Sequence, residues 1–210
     1  MFLEAVRKAC TRDFGHKVVG ATSSGREAVN LIPKADPDLV ILDLSLPDMD
    51  GFNVAERLLA KMPTLPILVL SAHCDDYTLF RVEQSGVNGF VDKSANTLTV
   101  LRKAIAAVCE GRCYYSDSFY AAKLARRSDP RSFSKILSDR ERAILTLIGE
   151  GWDDTEIAER LGFAVRTAST HRSHILHKLK IKSTAKLITF AVEHGFTSVR
   201  AKRGTTPVWT

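Results

Sequence analysis

Three short segments with apolar cores organise the first 112 residues: DLVILDL (38–44), LPILVL (65–70) and NGFV (88–91). A run with no polar alternation reads as a strand buried on both faces. Between the runs, apolar residues recur at helical spacing. A helix after each strand returns the chain to start the next one in parallel. The pattern predicts an α/β unit with a doubly wound parallel sheet and helices on both faces.

The other elements follow from local signals. Phe2, Leu3, Val6, Ala9 and Cys10 are spaced for an opening helix. A short strand is predicted at His16–Gly20. Ser24 and Glu27 form a capping-box pattern, opening a helix that should stop near Pro33. Helices are predicted at 51–61, 75–85 and 97–110, and strands at 38–44, 67–70 and 88–91. Gly86 and Gly111 sit where helices end.

In open parallel sheets, chemistry gathers at the carboxyl ends of the strands. Those ends carry Asp43, Ser71 and Lys93. A carboxylate nucleophile, a hydroxyl and an ammonium suit phosphoryl transfer onto the carboxylate. Asp43 would attack, while Ser71 and Lys93 would hold the phosphoryl oxygens. A strand-end aspartate alone is more often a cap, but three such residues at three successive ends carry more weight. A phosphohydrolase reading is weaker, because Ser45 stands where a second acid would be needed and no substrate pocket can be inferred. No enzyme activity is expected.

Charge separates the two halves. Residues 1–112 carry 13 Lys and Arg against 14 Asp and Glu, and residues 113–210 carry 17 against 10. The basic excess of +7 in the second half points to an anionic partner, most often nucleic acid. No run of 18 apolar residues is present, so no membrane span is expected. The four cysteines form no CxxC pair, which suits reduced thiols in the cytoplasm. Cys109 and Cys113 are expected as small buried hydrophobes.

The second half is predicted to be helical. FYAAKLARR (119–127) suits a short helix within a linker, and SDPRS (128–132) a turn. Ser138 with Glu141 opens a helix to about Ile148, and Asp153 caps another through Leu161. A third runs from about Val165 to Lys180, and Ser183 caps a fourth to about His194. On the third, Ala164, Ala168, His171, Ile175 and Leu179 share one face and should point to the core. Arg166, Ser169, Thr170, Ser173 and His177 share the other, which is polar and free of acids. Two short helices with a glycine turn, the second polar-faced, fit a helix-turn-helix whose second helix enters the major groove. His171, His174 and His177 spread too far around the helix to hold one metal ion, so packing is the better account of them.

The motifs in the first half resemble the receiver domain of bacterial two-component response regulators. The likeness covers nearly all of residues 1–112 and rests on LVILDLSLPDMDGFNVAERL, LPILVLSAH, GVNGFVDKSA and AIAAVCEGRCYYS. It implies a flavodoxin-like sheet, Asp43 as phospho-acceptor, Ser71 and Lys93 as its partners, and Ser71 with Phe90 as the switch pair. Receivers open with a strand ending in two acids that bind Mg²⁺. This chain opens at the first helix, so the first strand is missing from the expected sheet. The expected metal is therefore none in the chain as it stands, and Mg²⁺ if an upstream segment supplies the acidic pair. Asp48 and Asp50 match the loop after the acceptor strand and do not replace that pair.

LSDRERAILTLIGEGWDDTEIAERLGFAVRTASTHRSHILHKLKIKSTAKLITFAVEHG resembles the LuxR-type helix-turn-helix. The two halves together resemble the NarL/FixJ subfamily. The resemblance implies base contacts from Ser169, Thr170 and Ser173, and backbone contacts from Arg166, Thr167, Arg172 and Lys182. Serine at 169 replaces a usual basic residue, and Ala164 replaces the usual hydroxyl cap. The expected organisation is a receiver-like domain (1–112), a linker (113–133), a four-helix DNA-binding domain (134–196) and a tail (197–210). The expected function is a homodimeric, cytoplasmic transcriptional regulator that binds double-stranded DNA and is phosphorylated on Asp43 by a cognate histidine kinase. The alternative is a phosphorylation-independent regulator whose pseudo-receiver serves dimerisation or ligand sensing.

Overall fold

The computed structural model describes residues 2–72, 74–94, 98–128 and 133–197. The chain divides into two compact units, Met1–Cys74 with Leu79–Lys123, and Asp75–Thr78 with Leu124–Thr210. Among the described residues, no helix is long and apolar enough to cross a membrane.

The first unit is built on a parallel sheet of β1 (Val40–Asp43), β2 (Ile67–Ser71), β3 (Gly89–Asp92) and β4 (Tyr114–Tyr115), in that order. Helices α1 (Phe2–Lys8), α2 (Gly25–Ala35), α3 (Gly51–Lys61), α4 (Asp76–Gln84) and α5 (Leu98–Cys109) alternate with the strands. The helix begun by α1 continues through a wider turn, Ala9–Asp13. Side chains alternate across the sheet, as strand geometry requires. Val40, Leu42, Ile67, Val69 and Phe90 face a core completed by α2, α3 and α4. Leu68, Leu70 and Val91 face a second core with Cys10 and α5. Both faces of β2 and β3 are covered, which is why their sequences lack alternation.

Three expectations need correction here. His16–Gly20 is not a strand. Among the described residues β1 pairs only with β2, and an extended segment without a ladder partner is not a strand. Its Val18 packs instead as a half-buried side chain against the second core. Second, α2 runs through Pro33 to Ala35. Proline removes the amide that would bond to the carbonyl four residues back. That carbonyl, on Val29, accepts the Lys61 ammonium at 3.4 Å instead. Third, the stretch read as linker opens with an unexpected short strand. Tyr114 and Tyr115 extend the sheet, and α6 (Asp117–Ser128) follows at once. The predicted turn at 128–132 lies largely outside the described residues.

The second unit contains α7 (Phe133–Ile136), α8 (Asp139–Gly149), α9 (Asp154–Leu161), α10 (Val165–Leu179) and α11 (Thr184–Glu193). Ser138 and Asp153 make complete capping boxes with Glu141 and Glu156. Gly162 takes the left-handed conformation (φ 70°) that closes α9 and turns the chain into α10. Ile144, Leu145, Ile157, Ala168, Ile175 and Leu187 are almost fully enclosed and form the centre of the bundle. Ala164, expected on the core face, is exposed because it lies outside the first turn of α10.

Candidate functional site

At the carboxyl edge of the sheet, the structure brings Asp43 and Lys93 together. The Lys93 ammonium donates to Asp43 Oδ2 at 2.5 Å, and the Ser45 amide donates to Oδ1 at 2.9 Å. The pair is partly shielded, with 17% of the Lys93 side chain and 30% of the Asp43 side chain exposed. The Phe2 ring lies 4.3 Å from the same ammonium, a cation–π distance. Ser71 ends the intervening strand, is 1% exposed, and pairs in register with Asp92. The Lys93 amide donates to the Ser71 carbonyl at 2.8 Å. Phe90, three residues before Lys93, is fully enclosed.

The neighbouring acids are already engaged. Asp48 accepts the Ser24 hydroxyl at 2.8 Å and the amides of Gly25 and Arg26 at 2.8 and 3.1 Å. The Arg26 and Gly25 amides and then the Ser24 hydroxyl hold its carboxyl at about 2. Asp50 caps α3 through the Phe52 amide at 3.0 Å and lies 3.6 Å from the Arg81 guanidinium. Asp48 is thus a clamp on the start of α2, and Asp50 a cap on α3. A Mg²⁺ ion demands near-octahedral geometry and is commonly held by one or two carboxylates plus waters. Among the described residues, Asp43 faces an ammonium, Asp48 and Asp50 are engaged at helix starts, and no three acids, histidines or cysteines stand close enough to share an ion.

Gly51 is fixed by close approach. A Cβ there would lie 2.6 Å from both the Asp43 carbonyl oxygen and the Leu44 Cα. The start of α3 is therefore pressed against the acceptor strand end, and the Gly51 amide donates to the Leu44 carbonyl at 3.1 Å.

The second candidate site is the outer face of α10. Arg166, Thr167, Ser169, Thr170, Ser173 and His177 are all exposed, and α10 carries no acid. The Thr170 hydroxyl donates to the Arg166 carbonyl at 2.8 Å, and the Ser173 hydroxyl to the Ser169 carbonyl at 3.0 Å. Their protons are thus directed inward, and lone pairs face out. That suits acceptance from cytosine or adenine amino groups, with the Thr170 methyl available to thymine. Lys182 is exposed just beyond the helix.

The Arg172 guanidinium donates to Asp154 at 2.7 Å and to the Trp152 carbonyl at 3.4 Å, with 14% of the side chain exposed. It ties α10 to the start of α9. A second tie has no counterpart in the sequence signals. Glu141, beyond capping α8, accepts the Lys178 ammonium at 2.8 Å. Burial raises the Glu141 carboxyl, but the bonds from Lys178 and Ser138 outweigh it and hold the group below its ordinary value. Only the capping half of that role has a local signal. His171 is half-buried against Phe163, and His174 and His177 are exposed. All four thiols are free, and Cys109 and Cys113 are exposed rather than buried because they lie at and beyond the end of α5.

Two family profiles match this arrangement. Residues 1–106 match the response regulator receiver domain, and residues 135–191 match the bacterial regulatory proteins of the luxR family. The chain is a response regulator. It is 29% identical to the response regulator protein VraR of Staphylococcus saprophyticus over 182 residues, covering 84% of each chain. It is similar to RcsB of Salmonella enterica serovar Typhimurium bound to promoter rprA with phosphomimetic BeF₃⁻ (TM-score 0.60, 27% identity, 90% and 92% coverage). A structure of two RcsB dimers bound to two parallel DNAs gives TM-score 0.60 at 27% identity, covering 90% of this chain and 91% of that one. The regulator thus combines a receiver domain with a LuxR-type DNA-binding domain, and its family works in transcription rather than enzymatic turnover.

Proposed function

We propose that this response regulator binds double-stranded DNA as a homodimer through the outer face of α10, and that a cognate histidine kinase controls it by phosphorylating Asp43. Both partners place it in the cytoplasm. Ser169, Thr170 and Ser173 face base edges, and Arg166, Thr167 and Lys182 hold the phosphates. Arg172 acts indirectly by fixing the helix. The homodimer reading draws support from the RcsB dimers on DNA.

The single observation that carries the phosphorylation reading is the Asp43–Lys93 contact at 2.5 Å, beside buried Ser71. A carboxylate oxygen attacks phosphorus, the donor's phosphorus–nitrogen bond breaks, and the kinase imidazole leaves with the bonding pair. Lys93 moves from the carboxylate to a phosphoryl oxygen, and the Ser71 hydroxyl donates to another. Ammonium and hydroxyl stabilise the charge, and with Asp48 and Asp50 engaged at helix starts the labelling is expected to be slow and to depend little on Mg²⁺.

The test is labelling of the full chain by acetyl phosphate, with and without Mg²⁺, against Asp43→Asn, followed by DNA binding of each sample. Slow, Mg²⁺-indifferent labelling that Asp43→Asn abolishes supports the reading. The engagement of Asp48 and Asp50 favours a second reading, a pseudo-receiver that works without phosphate. Absence of label, together with wild-type DNA binding by Asp43→Asn, selects it.

A further inference from the structure

Both backbone and side chains of the residues after α5 land on β3, the strand that leads into Lys93. In backbone terms, β4 grips β3 around Phe90. The Tyr114 amide donates to the Asn88 carbonyl and the Ser116 amide to the Phe90 carbonyl, each at 3.0 Å. Phe90 and Tyr115 are partners in register. Among the side chains, Phe119 from the first turn of α6 meets the Phe90 ring at 5.5 Å between centroids. Tyr115 stacks on Phe119 at 4.7 Å and 27°. Phe90 and Phe119 are almost wholly enclosed. One turn further on, Lys123 pairs with Glu83 of α4 at 2.8 Å. The start of α6 is thus seated by an aromatic stack, two sheet hydrogen bonds and an ion pair.

The opposite end of β3 leads straight into Lys93, whose ammonium holds Asp43. Packed interiors do not deform continuously. A strand held by a tight ladder to β2 transmits a shift at Lys93 to the Phe90 ring more readily than it absorbs it.

We propose that Phe119 is a positioning residue, through which the seating of α6 on the sheet is coupled to the state of the Asp43–Lys93 pair by way of Phe90. When Lys93 leaves Asp43, Phe90 loses its present position, Phe119 loses its seat, and the start of α6 detaches from β3. The idea rests on the reading of Asp43 as the control site. It adds the reader, a linker helix that belongs to the receiver's own core.

The experiment is a double-mutant cycle read by amide hydrogen exchange on the full chain, without any phosphodonor. The amides followed are Ser116, Phe119 and Tyr120, each of which donates a backbone bond in the seated form. The chains compared are wild type, Lys93→Met, Phe119→Leu and the double variant. Lys93→Met is expected to speed exchange at these amides about tenfold or more in the wild-type background. It should leave them unchanged in Phe119→Leu, where they already exchange fast. Tyr115→Leu, which removes only the outer ring of the stack, is the milder replacement for Phe119→Leu if that variant does not fold. Lys93→Met having no effect on these amides, or the same effect in both backgrounds, overturns the proposal, because a merely structural Phe119 gives additive changes. Acetyl phosphate labelling of Asp43 is scored separately. Its absence overturns the phosphorylation reading, while the coupling measured by the cycle still stands or falls on its own exchange rates.

Discussion

Replacing Ala164 by serine tests whether α10 is held by its neighbours despite a poor start. Ser138, Asp153 and Ser183 each accept an amide hydrogen bond at the starts of α8, α9 and α11. Ala164 makes no such bond at the start of α10. Its backbone is already extended (φ −70°, ψ 145°), close to that of Ser138 (φ −68°, ψ 163°). A serine hydroxyl needs no rearrangement to accept. The Thr167 amide already donates to the Ala164 carbonyl at 2.8 Å, so the Arg166 amide is the natural donor. A hydroxyl cap in place of alanine contributes about 1 kcal/mol, within a range of about 0.5–2. With a urea slope of about 1–3 kcal/mol/M for a small domain, the midpoint rises by about 0.3–1 M. The thermal midpoint rises by about 4–8 °C. The assay is tryptophan fluorescence on the full chain. In a Trp209→Phe background the signal comes from Trp152, which lies in the helical unit just before α9. A midpoint that stays put or falls in both urea and heat refutes the reasoning, and shows that the first amides of α10 are already satisfied.

The remaining predictions address the receiver unit and the outer face of α10. Asp48 titrates at about 2 in the fold, below the unfolded value of about 3.9, so its stabilisation is complete above the unfolded value and is lost as pH falls through about 2. Acid unfolding of wild type should therefore steepen between about pH 4 and 2, and Asp48→Asn should flatten that slope; equal slopes sink the clamp. Gly51→Ala should destabilise the receiver unit by about 1–3 kcal/mol, since the added methyl meets backbone rather than a movable side chain; a more stable variant in denaturant titration contradicts the close approach. Arg166→Ala should weaken binding to all duplexes alike and lower the salt slope by about 1, whereas Ser173→Ala should change which sequences are preferred. Binding titrations at several salt concentrations decide between these patterns, and a change of sequence preference in Arg166→Ala reverses the assignment.

Much of this protein is written in short-range signals. The apolar runs at 38–44, 65–70 and 88–91 determined three parallel strands, because only strands covered on both faces need no polar alternation. Ser24, Ser138, Asp153 and Ser183 marked helix starts, because a cap is satisfied within three residues of itself. The exposed, acid-free face of α10 followed from helical period alone. Other features depend on residues far apart in the chain. Pro33 reads as a helix stop until Lys61 arrives to satisfy the Val29 carbonyl. Asp48 reads as a loop acid until the start of α2 gives it three donors. Arg172 reads as a surface cation until Asp154 turns it inward, and Lys178 until Glu141 pairs with it. His16–Gly20 reads as a strand, yet a ladder is a property of two segments, and no described strand lies beside it. Tyr114 and Tyr115 read as linker until β3 offers an open edge. Local sequence determines what one segment prefers by itself, while partners for buried polar groups and strand edges are supplied only when the chain has folded back upon itself.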